Sequence, residues 1–184
     1  MCHVNKISYP LFALSLFIAS FSVFADNPNY HYSQIKIGMG VFNTQSGTKS
    51  APIVSIGKRF ELDDSALEIS AGYGQHKHDN EKFSYFSLPK ITYVKFHQPS
   101  APSGFFYGGG LSFSQVKNAS SYYFQTEDNK FTGAFAEGTL GYEFKRNAAI
   151  SPILYVDVSQ GIVAQSKEGR HPGPSVMVGI SAGF

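Results

Sequence analysis

Two groups of residues have side chains and spacing that could do chemistry. His31 and Ser33 stand two residues apart in "YHYSQ", and alternate residues of a strand share a face, so the pair could belong to a catalytic set. His76 and His78 in "HKH", together with His171 in another polar segment, form a partial ligand set for a metal ion. Each group needs further partners before it could act.

Neither group finds those partners in the sequence. Ser33 shares its face with Ile35 and Ile37, so we expect an interfacial pair rather than a catalytic one. Glu137 and Glu143 would lie roughly 20 Å apart on one strand at ~3.3 Å per residue, too far for joint acid and base work, and we expect them in salt bridges. Histidines in polar loops are usually solvated. We therefore predict a protein without enzymatic activity, cofactor or metal.

The elements that carry these residues are strands. Eight segments alternate apolar and polar residues with a period of two, and no stretch has an apolar stripe with a period of 3.6 residues. They are "YHYSQIKIGMGVF", "APIVSIGKRFEL", "ALEISAGYGQ", "FSYFSLPKITYVKFH", "FFYGGGLSFSQV", "FTGAFAEGTLGYEFK", "ISPILYVDVSQGIVA" and "PSVMVGISAGF". In the fourth segment both faces carry aromatic residues and Pro89 interrupts the pattern, so its register cannot be assigned.

The connectors between these segments alternate in character. "NTQSGTKSA", "QHKHDNEK", "KNASSYYFQTEDNK" and "AQSKEGRHPGP" are long and polar, whereas "DDS" and "RNAA" are tight turns and "HQPSAPSG" is an intermediate, proline-rich turn. Short links can join only antiparallel neighbours, because parallel strands need longer crossovers. The pattern predicts an all-β, eight-stranded, antiparallel up-and-down barrel in one domain.

Composition indicates which face of this barrel is outside. The chain has 17 Phe and 11 Tyr but no Trp, and only 15% of its residues are charged, against roughly a quarter in soluble domains. The non-apolar face is mostly Gly and Ser with a few charges of both signs, which suits a narrow interior better than a wet surface. The predicted interior charge network consists of Lys36, Arg59, Glu68, Glu137 and Asp157.

The first 30 residues have the layout of a signal peptide. Lys6 is the only charge before the apolar run 11–24, and Val23 and Ala25 occupy the small-residue positions of a cleavage site. We predict a signal peptide over residues 1–25 and a barrel domain over residues 26–184. The only cysteine, Cys2, lies in the segment that would be removed.

The segment "VMVGISAGF" resembles the C-terminal signature of bacterial outer-membrane barrels. In that family, alternating apolar residues and a final Phe are recognised by the barrel-assembly machinery, which implies this role for Val178, Ile180 and Phe184. "FAEGTLGYEF" and "LPKITYVKF" are similar to strands of the small OmpA/OmpX-like and opacity-protein barrels. The resemblance implies a location in the bacterial outer membrane, short periplasmic turns and longer surface loops.

We therefore expect a monomeric, lipid-embedded scaffold whose function lies in its loops. Its expected partners are outer-membrane lipid, the assembly machinery and an extracellular surface ligand contacted by Tyr122, Tyr123 and Phe124, unless that segment is extended strand. A net charge of +2, with no basic stripe, argues against nucleic acid. Two alternatives remain open: a narrow solute pore, and a lipid-modifying enzyme, because outer-membrane lipid A deacylases use a His-x-Ser pair.

Overall fold

A computed structural model describes residues 31–44, 47–78, 81–122, 125–146, 150–165 and 173–184. The predicted signal peptide lies outside these residues. The described chain forms eight strands: β1 (His31–Thr44), β2 (Gly47–Glu61), β3 (Ser65–His78), β4 (Glu81–Phe96), β5 (Gly104–Tyr122), β6 (Gln125–Glu143), β7 (Ser151–Gln165) and β8 (Ser175–Gly183). Among the described residues, no helix is long and apolar enough to cross a membrane.

The strands close into a barrel in which each pairs with its neighbours in chain order. All resolved pairings are antiparallel, and β1 pairs with β8 from Gln34 opposite Gly183 to Phe42 opposite Ser175. At this seam the backbone of Ser33 and Phe184 exchange two hydrogen bonds, of 2.8 and 2.9 Å. The predicted eight-stranded up-and-down barrel is therefore confirmed.

The predicted division into long and short connectors is wrong in part. β5 continues to Tyr122 and β6 begins at Gln125, so most of the segment assigned to the longest loop is paired strand. Likewise only two residues separate β1 from β2, and two separate β3 from β4. Polar residues were interpreted as loop, but strands that extend beyond an apolar zone can keep their hydrogen bonds and carry polar side chains on both faces.

An irregularity in β4 changes which of its residues point inward. Its pairing with β5 shifts between Ser87 and Lys90, so the inward residues are Phe83 and Tyr85 before the shift and Thr92 after it. This extra residue changes the alternation midway. It explains why simple alternation could not be applied to the segment, whose aromatic residues lie on both faces even when the shift is included.

The two faces of the barrel are inverted relative to a soluble protein. Outward apolar side chains are about half exposed, for example 55% for Val178 and 61% for Ile180. The next residue of β8, Ser181, points inward and is buried. On β5 the outward apolar residues run from Phe105 to Phe113. This stretch is roughly 27 Å along the strand at ~3.4 Å per residue, or about 20 Å along the axis of a barrel with strands tilted by ~40°.

Neighbouring cysteines in β8 test this two-faced arrangement. In the barrel reconstituted in lipid, a membrane-soluble thiol reagent should label Ile180→Cys rapidly and Ser181→Cys at least ~10-fold more slowly, because only the first side chain faces the bilayer. Gly179 is unsuitable as the inward position, since a Cβ there would clash with the carbonyl oxygen of Ile37. Equal labelling of the two variants would contradict the assigned faces.

Candidate functional site

Arg59 occupies the centre of the interior near the end of the barrel that carries the termini. Its side chain is fully buried and donates to Glu68 Oε1 through Nε at 2.8 Å and through Nη2 at 2.5 Å. Nη1 lies 2.8 Å from Glu143 Oε2 and 3.8 Å from Glu61 Oε1. One cation is thus shared by carboxylates from three strands.

Aromatic rings enclose the guanidinium of Arg59. Its central carbon lies 5.2 Å from the ring centres of Tyr32 and Phe106, and 5.8 Å from that of Phe96. Glu143 also accepts hydrogen bonds from Ser151 Oγ at 2.7 Å and from the Tyr32 hydroxyl at 3.1 Å. The rings and hydroxyls give the guanidinium and Glu143 close partners inside the barrel.

A second charge cluster lies further along the interior. Lys90 Nζ lies 2.7 Å from Asp157 Oδ2 and 3.2 Å from Glu137 Oε2. Thr139 donates to Asp157 at 2.6 Å, and Ser112 donates to Glu137 at 2.5 Å. Each carboxylate therefore has a cation and a hydroxyl as partners.

Lys36 lies between the two clusters. Its Nζ is 2.8 Å from Glu68 Oε2 and 5.1 Å from the ring centre of Tyr155, which lies on the same inward face of β7 as Asp157, two residues away. The two clusters thereby form one polar column that extends from the end of the barrel with the termini to its middle. We call this set the interior charge network; it contains Lys36, Arg59, Glu61, Glu68, Lys90, Glu137, Glu143 and Asp157.

An apolar layer fills the barrel between this network and the hairpin end. Phe42 packs against Phe83 and Tyr85, with ring centres 4.9 and 5.1 Å apart, and Phe131 and Phe135 complete the layer from β6. A cavity of about 20 Å³ remains where the layer meets the charges. That volume holds about one water molecule, so at this level side chains occupy the lumen.

The structure brings all five sequence-predicted interior charges into ion pairs, but the sequence analysis missed several of their partners. Lys90 was missed because the irregularity in β4 hides which face it occupies. Glu143 was expected in a salt bridge but not in this network; it shares the inward parity of Glu137, and its partner is Arg59. Glu61 likewise shares the parity of Arg59.

The three predicted loop contacts are not brought together in a described site. Tyr122 is the last residue of β5, where its backbone is opposite Gln125. Tyr123 and Phe124 lie outside the described residues. The segment just before them is strand, which is the alternative that the sequence left open.

The candidate chemical groups remain scattered. Ser33 occupies an outward position of β1 with Ile35 and Ile37, and His76 lies opposite Phe83 in the hairpin of β3 and β4. His171 lies outside the described residues. Within the described part of the chain, no group of three or more His, Cys, Asp or Glu could hold a metal ion.

A closed antiparallel barrel of eight strands with a polar, ion-paired interior and an apolar exterior is the fold of the small outer-membrane β-barrels, as the resemblance implied. Among solved structures, Neisserial surface protein A is similar to this chain, with a TM-score of 0.67 and 10% identity. The match covers 84% of this chain and 96% of that protein. Ail, the attachment invasion locus protein of Yersinia pestis, is similar over 84% and 97% of the two chains, with a TM-score of 0.56 and 13% identity.

The N-terminal barrel domain of Pseudomonas aeruginosa OprF covers 84% of this chain and 98% of its own, with a TM-score of 0.54 and 14% identity. At such identities the likeness establishes the fold. No protein-family model matches the chain, and no curated protein matches it.

Replacing Arg59 tests how much the barrel depends on the interior charge network. Arg59→Ala leaves Glu68 and Glu143 buried without their main cation, so the free energy of unfolding should fall by ~3–5 kcal/mol. Urea unfolding in lipid vesicles measures the change. The matched control is Lys95→Ala, since Lys95 and Asp64 form an ion pair of 3.5 Å with both side chains 52% exposed. It should change stability by ~0–1 kcal/mol. A similar small effect of both replacements would mean that the lumen around Arg59 is hydrated.

Proposed function

We propose that this protein is a bacterial outer-membrane β-barrel without enzymatic activity that presents its hairpin end to the outside for contact with other surfaces. The observation that carries the proposal is the inversion of the two faces. Half-exposed apolar side chains surround the wall over about 20 Å, close to the height of an apolar band in outer-membrane barrels. In water this surface would be an aggregation site, whereas in lipid it is solvated.

The two ends of the barrel differ, which supports an orientation. The links of β2 to β3, β4 to β5 and β6 to β7 lie at the same end as the two termini of the barrel. At the other end β5 and β6, each of 19 residues, extend as the longest hairpin. We assign the hairpin end to the cell exterior.

The filled interior favours surface contact over transport. Buried Phe131 and Phe135 block the lumen beside the polar column, so a solute would have to displace both an apolar layer and ion-paired charges. The structural neighbours include a surface protein and an attachment invasion locus protein by name. These names agree with a role for the hairpins in contact, which we extend to this chain as part of the proposal.

We further propose that the outward face of β8 is the segment recognised by the barrel-assembly machinery. Val178, Ile180 and Phe184 share this face and are 55–61% exposed in the folded barrel. The same strand forms the seam with β1, so β8 must remain available until the barrel closes.

Removing the projecting hairpin tests the contact role. Residues 120–127 are replaced by Asn-Gly, which joins Ala119 to Asp128 through a turn suited to a two-residue hairpin. We expect a folded barrel, because the interior contacts lie below this level. Adherence to epithelial monolayers, conferred by the full chain on a non-adherent strain, should fall to that of the empty strain.

The control replaces residues 45–46 by the same Asn-Gly dipeptide, so that turn chemistry changes while the long hairpin stays intact. Adherence should then persist. Protease added to intact cells should cut the full chain at the hairpin end before the 97–103 segment. Unchanged adherence without the β5 and β6 hairpin, or cleavage first at 97–103, would contradict the proposed role and orientation.

Substitution of Phe184 tests the assembly role separately. Phe184→Ser keeps the backbone hydrogen bonds to Ser33 but removes the apolar side chain from the outward face of β8. Exported protein should accumulate unassembled, with folded barrel in the membrane reduced at least ~5-fold, whereas Phe184→Tyr should assemble normally. Heat-modifiable mobility on gels counts the folded fraction. Normal assembly of the serine variant would remove this role from Phe184.

A further inference from the structure

A groove of about 470 Å³ lies in the outward wall of the barrel near the end that carries the termini, where β7, β8 and β1 are neighbours. The smallest of its lining residues is Ala182, which lies directly opposite Pro152 of β7 and directly opposite Ile35 of β1. Ala182 has only a methyl group and the ring of Pro152 stays close to its own backbone, so the wall is lowest here. We call this hollow the seam groove, because it covers the junction of the first and last strands.

Larger side chains surround this low point. Ile180 of β8 and Leu154 of β7 lie directly opposite each other, one row nearer the middle of the barrel. Phe184 follows Ala182 two residues later on the same outward face. These three side chains are 51–61% exposed, so they project from the wall and form the rim of the seam groove.

Phe144 closes the side of the seam groove towards β6. Its backbone N–H donates to the carbonyl oxygen of Pro152 at 2.8 Å, which places it beside the low point of the wall. Its ring packs against that of Tyr142, with ring centres 4.8 Å apart, and Tyr142 packs against Phe105 at the same distance. This row of rings restricts Phe144, so this side of the groove has a fixed position.

The outward side chains that line the seam groove are all apolar. Ile153 and Ser181 also belong to the lining, but their side chains point into the barrel and are buried. The occupant must therefore be apolar, since a polar group would lose its hydrogen bonds with water and gain none from these side chains. An empty groove is also unfavourable, because its lining atoms then have contacts on one side only.

The size of the seam groove favours a hydrocarbon chain over a second copy of the protein. From β6 to β1 the groove spans three strand intervals, or roughly 14 Å at ~4.8 Å each. From Ile180 to Phe184 it extends roughly 13 Å along the strand at ~3.3 Å per residue. The resulting area of roughly 200 Å² is well below the ~800 Å² that each partner contributes to a stable protein interface, whereas one acyl chain needs no more.

The height of the seam groove matches one leaflet of a bilayer. Its length of roughly 13 Å along the strand corresponds to ~10 Å along the axis of a barrel with strands tilted by ~40°. The apolar band of an outer-membrane barrel is about 25 Å tall, so each leaflet contributes about 12 Å of hydrocarbon. The groove lies in the half of the wall nearer the termini, so its occupant comes from the leaflet on that side.

We propose that the seam groove holds one acyl chain of a glycerophospholipid from the leaflet on the side of the termini. This inference rests on the proposed function for the membrane location of the barrel. The chain contacts Ile35 on β1, Ala182 on β8 and Leu154 on β7, so it covers the junction at which the barrel closes. It differs from the other lipid around the wall because a hollow of fixed shape holds it.

The experiment uses the refolded full chain in phosphatidylcholine vesicles that contain a small fraction of phosphatidylcholine with a diazirine in one acyl chain. After illumination, mass spectrometry should find at least ~5-fold more labelling at residues 152–154 and 180–182 than at Leu67 and Ile69, outward residues of β3 near the same end. Ala182→Phe fills the groove and should lower the labelling of residues 152–154 at least ~5-fold. The matched control Ala136→Phe adds the same ring to an outward alanine of β6 outside the groove and should leave the labelling unchanged.

Native mass spectrometry in maltoside micelles counts the lipid that stays bound. One phospholipid per barrel should remain on the original chain and on Ala136→Phe, and at least ~5-fold less on Ala182→Phe. Ala182→Leu fills the groove less and should retain an intermediate amount, so it tests the inference if the phenylalanine variant does not fold. A heat-modifiable gel shift verifies that each variant is folded.

Vesicles with the diazirine lipid in only one leaflet test the source of the chain. Protease cleavage at the hairpin end reports which way the barrels are inserted. Labelling of the seam groove should require the probe in the leaflet on the side of the termini. Labelling from the opposite leaflet, equal labelling of β3, unchanged labelling of Ala182→Phe, or a protein dimer that forms as lipid is lost would overturn the inference.

Insertion into the same vesicles distinguishes this inference from the proposed function. A chain that inserts but shows no preferential labelling of the seam groove contradicts the acyl-chain site alone. A chain that fails to insert into any bilayer contradicts the proposed membrane location itself.

Discussion

The half of the barrel that carries the termini depends on the ion pairs of the buried Arg59 guanidinium. An eight-stranded barrel has room inside for side chains and little else, so any charge there must find its partners within reach. Arg59 on β2 meets this requirement with carboxylates on β3 and β6, and Lys36 on β1 extends the pairing. The contacts of Arg59 with Glu143 and of Lys36 with Glu68 join strands that are not neighbours in the sheet.

The seam between β1 and β8 is also limited by the space available inside the barrel. β8 pairs with β1 through backbone hydrogen bonds, and Gly38 lies directly opposite Gly179. A Cβ at Gly179 would meet the hydroxyl of Tyr155 at 2.6 Å, so the absence of side chains there makes space for a ring reaching in from β7. Tyr155 in turn packs over Lys36. Closure of the sheet at this seam therefore depends on the same side chains that fill the lumen.

Period-two alternation was sufficient to predict the barrel, its faces and the interior positions of Arg59 and Glu68, and the short turn between β2 and β3 then places these two residues directly opposite each other. It failed at Lys90, where one extra residue in β4 reverses the faces; Pro89 marks the interruption in the sequence but does not show which face the following residues occupy. It also failed beyond the apolar belt. There the outward residues Lys117 and Lys130 are polar while their inward neighbours Val116 and Phe131 are buried, which reverses the polarity of the two faces although the backbones remain paired.

The change from apolar to polar outward residues indicates where a binding function can lie. Below this level each side chain faces either lipid or the lumen, so a substitution there alters stability first. Above it, β5 and β6 continue as paired strands whose outward residues no longer have to be apolar, so substitutions there can change the surface with little effect on the barrel.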